Sequence, residues 1–115
     1  MHGNWIEEYT LDTIRYKSFG RYKEGEPVKK WKYYANGKII KKEIYKKEYC
    51  KVRFYHPNGV LQAKGITQLI EKGKDIHWFY SGQWEYFDTK KNLIITRLYD
   101  KGDLISEKEI KNTKQ

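Results

Sequence analysis

The side chains that could do chemistry in this sequence are three histidines and one cysteine: His2, His56, His77 and Cys50. A protein metal site needs ligands at short, regular spacing, such as Cys-x-x-Cys or His-x₃-His, and these four residues show none. Cys50 and His56 are close enough to suggest a thiol nucleophile and its base, but no third group stands beside them to orient the base. We therefore expect Cys50 to be a small buried side chain, with no metal site and no cofactor.

Carboxylate chemistry is equally weak in this sequence. Glu7 and Glu8 are adjacent, so in a strand they point to opposite faces and make a poor acid–base pair. The chain has no glycine-rich phosphate loop and no Gly-x-Ser-x-Gly nucleophile motif. These observations favour a protein that is not an enzyme.

The elements that would position any functional group are β-hairpins, and the clearest one spans Trp31 to Tyr45. Aromatic and branched residues lead up to Asn36-Gly37 and resume after it, and Asn-Gly favours a type I′ turn because both central residues need a positive φ. With a two-residue loop here, Tyr33 would pair with Ile40. One face would then carry Trp31, Tyr33, Ile40 and Ile44, and the other Tyr34, Ile39 and Tyr45 among Lys32, Lys41 and Glu43.

This hairpin pattern occurs three times along the chain, with a weaker fourth copy that begins at Trp5. The matching segments are Trp31-x-Tyr33-Tyr34 before Asn36-Gly37, Val52-x-Phe54-Tyr55 before Asn58-Gly59, and Trp84-x-Tyr86-Phe87 before Asn92. A repeat of roughly 20–50 residues indicates stacked supersecondary units, none of which buries its apolar face alone. The segment Ile66–Asp75 interrupts the period and fits either a strand pair, turning at Gly73, or a short helical turn. We predict an all-β protein, an open antiparallel meander of consecutive hairpins, with one domain over residues 1–110 and a polar tail at 111–115.

The repeat resembles the MORN (membrane occupation and recognition nexus) repeat, and more closely the bacterial MORN variants of YwqK-type, antitoxin-like proteins. The residues that carry the match are Gly20, Tyr22, Gly25, Trp31, Tyr34, Asn36, Gly37, Phe54, Tyr55, Asn58, Gly59, Gly82, Trp84, Phe87, Tyr99 and Gly102. Val52 departs from the pattern by replacing a Trp. The resemblance implies an elongated meander with an aromatic face, and a binding or scaffolding role toward proteins or lipid headgroups. The antitoxin label implies neutralisation of a partner protein.

Composition points to binding by rings and by positive charge. The 115-residue chain has 17% aromatic residues and a net charge of +9, and ten of its lysines and arginines, against two glutamates, fall between Lys29 and Arg53. A disordered chain would be poor in aromatics. The predicted basic patch comprises Lys29, Lys30, Lys32, Lys41, Lys42, Lys46, Lys47, Lys51 and Arg53. Such a patch suits an acidic partner, nucleic acid or anionic lipid, although lysines also keep strand edges soluble.

The predicted partner-binding residues are the rings of the repeat. They are Trp31, Tyr33, Tyr34, Phe54, Tyr55, Trp84, Tyr86 and Phe87. Each doublet should place one ring on each face of the sheet, and a single layer cannot cover both faces, so some rings should stay exposed for a partner.

Four functions compete for this surface. The leading hypothesis is a protein-interaction module, antitoxin-like in its neutralisation of a partner protein. The alternatives are single-stranded nucleic-acid binding through stacking and cationic side chains, cell-wall glycan binding, and association with anionic lipid surfaces. No run approaches the ~20 apolar residues of a membrane span. A lone cysteine and the lack of a leader favour the cytoplasm, with an exported form that has lost its leader as the alternative.

Overall fold

The structure is a computed structural model that describes residues 3–24, 26–72 and 75–110, all in one antiparallel sheet. The sheet contains β1 (Gly3–Leu11), β2 (Ile14–Lys23), β3 (Glu26–Ala35), β4 (Lys38–Tyr45), β5 (Tyr49–Tyr55), β6 (Leu61–Lys72), β7 (Asp75–Phe87), β8 (Leu93–Asp100) and β9 (Asp103–Glu109). His2, the expected turn at Gly73 and the predicted tail at 111–115 lie outside the described residues. No helix that could cross a membrane occurs among the residues described.

The strands follow one another across the sheet in chain order, from β1 to β9. This arrangement confirms the all-β, open meander predicted from the repeat. In the segment from Ile66 to Asp75, the described residues belong to the paired strands β6, which ends at Lys72, and β7, which begins at Asp75, so they are strand and not a helical turn.

The Asn36-Gly37 turn has the predicted two-residue form, but the register beyond it differs from the prediction. Asn36 and Gly37 have φ values of 48° and 80°. Tyr33 pairs with Lys41 rather than with Ile40, because Ile40 is the extra residue of a β-bulge. A one-residue shift exchanges the two faces of a strand.

The bulge therefore corrects the predicted faces of β4. Lys41, Glu43 and Tyr45 share the face of Trp31 and Tyr33, whereas Ile44 lies on the face of Tyr34. The basic and apolar residues of β4 therefore do not lie on the faces that a strict alternation of side chains predicts.

The same bulge recurs opposite each aromatic doublet. Register shifts lie within Tyr33-Tyr34, Phe54-Tyr55 and Tyr86-Phe87, and again within Leu98-Tyr99. A bulge increases the local twist of its strand pair and bends it. The sequence repeat thus corresponds to a structural repeat of hairpin plus bulge.

The hairpins are also joined through their turns. The Asn36 side chain accepts a hydrogen bond from the Arg15 backbone N–H at 2.9 Å, and the Asn36 N–H donates to the Arg15 carbonyl at 2.8 Å. At the next pair of turns, the Asn58 amide donates to the Thr89 carbonyl at 3.1 Å. The asparagines of the Asn-Gly turns therefore fix neighbouring hairpins to each other.

The core lies on one face of the sheet and is aromatic. Trp84 is 0% exposed and packs with Cys50 and Val52, while Phe54, Tyr80, Tyr86 and Tyr99 surround this cluster. Trp31, 4% exposed, forms a second centre among Tyr22 and Tyr33. Both indoles lie across from a glycine of the preceding strand, Gly65 for Trp84 and Gly20 for Trp31, and a Cβ on either glycine would overlap the ring.

The two edges of the sheet are the least buried part of the fold. Every residue of β9 is exposed, as is every residue of β1 except Trp5. Large apolar side chains are among them: Ile6, Leu11, Leu104 and Ile105.

Candidate functional site

The two faces of the sheet differ in chemistry, and the aromatic doublets divide between them. Register places Trp31, Tyr33, Phe54, Trp84 and Tyr86 on one side, which we term the aromatic face. Tyr34, Tyr55 and Phe87 lie on the opposite side, which we term the basic face. Each doublet thus supplies one ring to each face.

Rings of the aromatic face pack mainly against each other. Tyr80 stacks on Trp84 with ring centroids 4.1 Å apart, and Tyr22 meets Trp31 edge-on at 5.0 Å. The Trp84 Nε1 donates a hydrogen bond to the Ile66 carbonyl at 3.0 Å. Since Trp31 and Trp84 are buried, their place in this structure is within the core.

A buried carboxylate lies at the centre of the aromatic face. Glu43 accepts hydrogen bonds from the Tyr33 hydroxyl at 2.7 Å and the Tyr45 hydroxyl at 3.2 Å, and Lys41 lies 3.5 Å from its other oxygen. Burial and the Glu43 carboxylate raise the pKa of both phenols above the usual range. The phenols therefore stay protonated at neutral pH and act as hydrogen-bond donors.

Cys50 and the described histidines lie apart from any shared site. Cys50 is 1% exposed, and burial, reinforced by the charge of Glu43, raises the pKa of its thiol to about 12. A thiol with so high a pKa is a poor nucleophile at neutral pH. His56 contacts the Phe87 carbonyl oxygen through Nε2 at 2.8 Å, and His77 lies on β7. No group of three possible metal ligands occurs within the described part of the chain.

The basic face carries a row of cations across adjacent strands. Lys32 on β3 lies opposite Lys42 on β4, which lies opposite Arg53 on β5. Lys64 on β6 continues the row and lies 3.6 Å from Glu85. Neighbouring strands are about 4.8 Å apart, so the positive charges of Lys32, Lys42 and Arg53 lie next to one another on interior strands of the sheet.

Beside this row the basic face forms a groove of about 880 Å³, which we term the basic groove. Its apolar lining includes Ile6, Phe19, Tyr34 and Ile44, with Trp5 and Tyr45 at its margin, and its cations are Arg21, Lys29, Lys30, Lys32 and Lys46. None of the described residues that line it is acidic. Lys29 has a φ of 63°, a conformation that is strained for a residue with a Cβ.

The predicted basic patch is thus divided by the fold. Lys42, Lys51 and Arg53 lie on the basic face, and four further members line the groove: Lys29, Lys30, Lys32 and Lys46. Lys47 lies in the turn between β4 and β5. Lys41 lies on the aromatic face, where its Nζ is 5.3 Å from the Tyr33 ring centre and 5.4 Å from that of Phe54.

Several groove residues were not predicted from the sequence as binding residues, among them Ile6, Phe19 and Arg21. The signal that could have revealed them is the alternation in β2, where Lys17, Phe19 and Arg21 share one face of the strand. Pairing β2 with β3 brings that face beside Lys32.

Comparisons with protein-family models, curated proteins and solved structures gave no match to this chain. The resemblance to MORN-variant repeats therefore rests on the residues of the sequence alone.

Proposed function

We propose that the chain is a non-enzymatic protein-interaction module of MORN-like hairpins, and that its basic face holds a partner protein. The row formed by Lys32, Lys42 and Arg53 carries this proposal. Like charges placed directly opposite one another destabilise a sheet. An acidic partner surface would relieve that repulsion and favour association.

The position of the row argues against a purely protective role for its charges. Lysines that guard a sheet against aggregation are placed on edge strands. Lys32, Lys42 and Arg53 belong to β3, β4 and β5, which are interior strands of the sheet. Apolar side chains of the same face, including Tyr34 and Ile44, offer area for burial by the same partner.

An antitoxin-like function would require that the partner protein is toxic to the cell and that the basic face covers the partner's functional surface. In this view the module acts by occlusion. The buried Glu43 and Cys50 support the fold and take no part in chemistry.

Single-stranded nucleic acid is the second candidate, because the same row of cations could pair with phosphates. In that case the charged row would supply most of the affinity, and binding would fall steeply with salt. If the ligand is instead an anionic lipid or a wall glycan, no protein would be captured from the lysate.

The test is capture from a lysate of the native host on the immobilised chain, with and without nuclease, eluted by stepped salt. The matched variants are Lys42→Glu/Arg53→Glu on the basic face and Lys90→Glu/Lys101→Glu in the turns that follow β7 and β8, which change the net charge equally. We expect a protein that survives nuclease, is retained by the second variant and is lost with the first.

Two results would contradict the proposal. One is material that disappears on nuclease treatment, which would favour the nucleic-acid candidate. The other is capture of the same protein by both variants. The antitoxin role has its own criterion: the captured protein, expressed alone, should inhibit growth, and co-expression of this chain should restore it.

A further inference from the structure

The basic groove combines positive charge with an apolar floor, and together these specify the chemistry of an occupant. Among the lining residues that the structure describes, five are cations and none is acidic. The only polar partner of a groove cation among the described residues is that of Arg21, whose Nε donates to the Asn4 side chain at 3.3 Å. The four groove lysines are exposed and form no ion pair within the described part of the chain.

The floor of the groove requires apolar groups from its occupant as well as charge. Ile6, on the edge strand β1, is 63% exposed, and Ile44, Phe19 and Tyr34 are half-buried beside it. A purely anionic ligand would leave this apolar surface in water. A purely apolar ligand would crowd lysine ammonium groups without neutralising them.

Two rings of the groove, Phe19 and Tyr34, are poorly placed to stack on nucleic-acid bases. Phe19 meets the Tyr34 ring edge-on with centroids 5.8 Å apart, and the Lys17 ammonium lies 5.0 Å from the Phe19 ring centre. Base stacking uses an open ring face. An occupant with aliphatic or aromatic side chains between carboxylates fits this lining better than a row of bases.

We infer that the basic groove binds an acidic segment of the partner protein, one in which a short apolar core is flanked by glutamates or aspartates. The inference rests on the proposed function, which it refines by assigning the contact to one groove and one peptide chemistry. Lysine stems cover the rim while their ammonium groups reach toward carboxylates, and the apolar core packs on Ile44 and Tyr34.

The experiment measures fluorescence anisotropy of three labelled peptides with the full chain at about 0.15 M salt. The probes are Glu-Glu-Leu-Phe-Glu-Glu, the same peptide with lysines in place of glutamates, and a Glu-Glu-Gly-Ser-Glu-Glu version without the apolar pair. Oligothymidylate serves as the nucleic-acid probe. Variants Lys30→Glu/Lys32→Glu and Lys90→Glu/Lys101→Glu are compared with the unaltered chain, after thermal unfolding has shown that each is folded.

We expect the Glu-Glu-Leu-Phe-Glu-Glu peptide to bind most tightly and the groove variant to weaken it by at least about tenfold, with the control variant within about threefold of the unaltered chain. Equal binding of the peptide without the apolar pair, equal effects of the two variants, or tighter binding of oligothymidylate would overturn the inference. If the groove variant folds poorly, Ile44→Glu replaces it and the same outcomes apply.

The capture and peptide-binding experiments distinguish failure of the groove inference from failure of the proposed function. A captured partner that depends on Lys42 and Arg53, together with a groove variant that leaves peptide binding unchanged, would retain the interaction module and reject the groove. If no partner protein is captured but the peptide still binds in the groove, the groove proposal would be retained and the proposed interaction module rejected.

Discussion

Trp84 lies across Gly65 of the neighbouring strand, and its indole N–H donates to the carbonyl of the next residue, Ile66, at 3.0 Å. The ring occupies the space that a side chain at position 65 would fill. A glycine covered by a cross-strand aromatic ring regains the packing that the missing side chain would have supplied. Gly20 and Trp31 repeat this contact without the hydrogen bond.

Replacing Gly65 with alanine should destabilise the fold strongly. The new methyl group would overlap carbons of the Trp84 ring, which is fully buried and cannot move aside, so we expect a loss of about 3 kcal/mol. Gly82→Ala is the control: its Cβ would lie 3.7 Å from the nearest Ile66 atom, and its φ of 70° should cost only about 1 kcal/mol. Guanidinium unfolding followed by tryptophan fluorescence measures both, and equal losses would contradict the contact.

The two tryptophans should respond differently to phenylalanine. Trp84→Phe removes a hydrogen bond and leaves the Ile66 carbonyl without its donor, whereas the buried Trp31 Nε1 has no partner among the described residues. Trp84→Phe should therefore cost about 1 kcal/mol more in the free energy of unfolding than Trp31→Phe. The prediction fails if Trp31→Phe is the more damaging of the pair, as measured by urea unfolding.

Removing the buried carboxylate of Glu43 should destabilise the packing of the aromatic face. Glu43→Leu leaves the Tyr33 and Tyr45 hydroxyls without an acceptor and Lys41 without its counter-ion, for a loss of about 2–3 kcal/mol. Glu43→Gln keeps an acceptor oxygen and should cost clearly less. Thermal unfolding of both variants would show the difference, and identical melting temperatures would mean that the two hydrogen bonds contribute little.

Alkaline pH should weaken the fold partly through Cys50. Its pKa rises from an ordinary value near 9 to about 12 on folding. Between these pH values the unfolded chain releases a proton that the folded chain keeps, so stability falls as pH rises.

Cys50→Ala should accordingly reduce the slope of unfolding free energy against pH, by up to about 1.4 kcal/mol per pH unit in this window. Denaturant unfolding at a series of alkaline pH values gives the two slopes. Parallel lines for the two proteins would show that the thiol keeps its ordinary pKa. Titration of the lysines is common to both proteins and cancels.

The hairpin architecture was predictable because its signals are local. Asn36-Gly37 specifies a turn through the backbone, and the spacing of the aromatic doublets predicts the repeat. The bulge at Ile40 was not predictable from alternation, since an extra residue in one strand leaves no mark in a pattern of apolar and polar residues. That single residue decides whether Lys41 and Glu43 belong to the core or to the surface.

The candidate site was predictable in composition but not in placement. Lys32, Lys42 and Arg53 were recognised as basic, but their alignment depends on the register of three strands. Ile6 and Phe19 come from β1 and β2, far from the patch in sequence, and reach the groove only through pairing. Gly20 and Gly65 contact the indole rings of Trp31 and Trp84 across neighbouring strands, and these contacts likewise depend on strand pairing.

An open sheet can in principle grow into a fibre by adding one molecule to the edge of another. Here both edge strands carry an excess of carboxylates, Glu7 and Glu8 on β1 and Asp103, Glu107 and Glu109 against Lys108 on β9, although the chain as a whole has a charge of +9. Two molecules approaching edge to edge would therefore meet with the same sign of charge, whatever their polarity. We expect this repulsion to keep the exposed isoleucines and leucines of those strands from their counterparts, and rising ionic strength to remove the protection progressively.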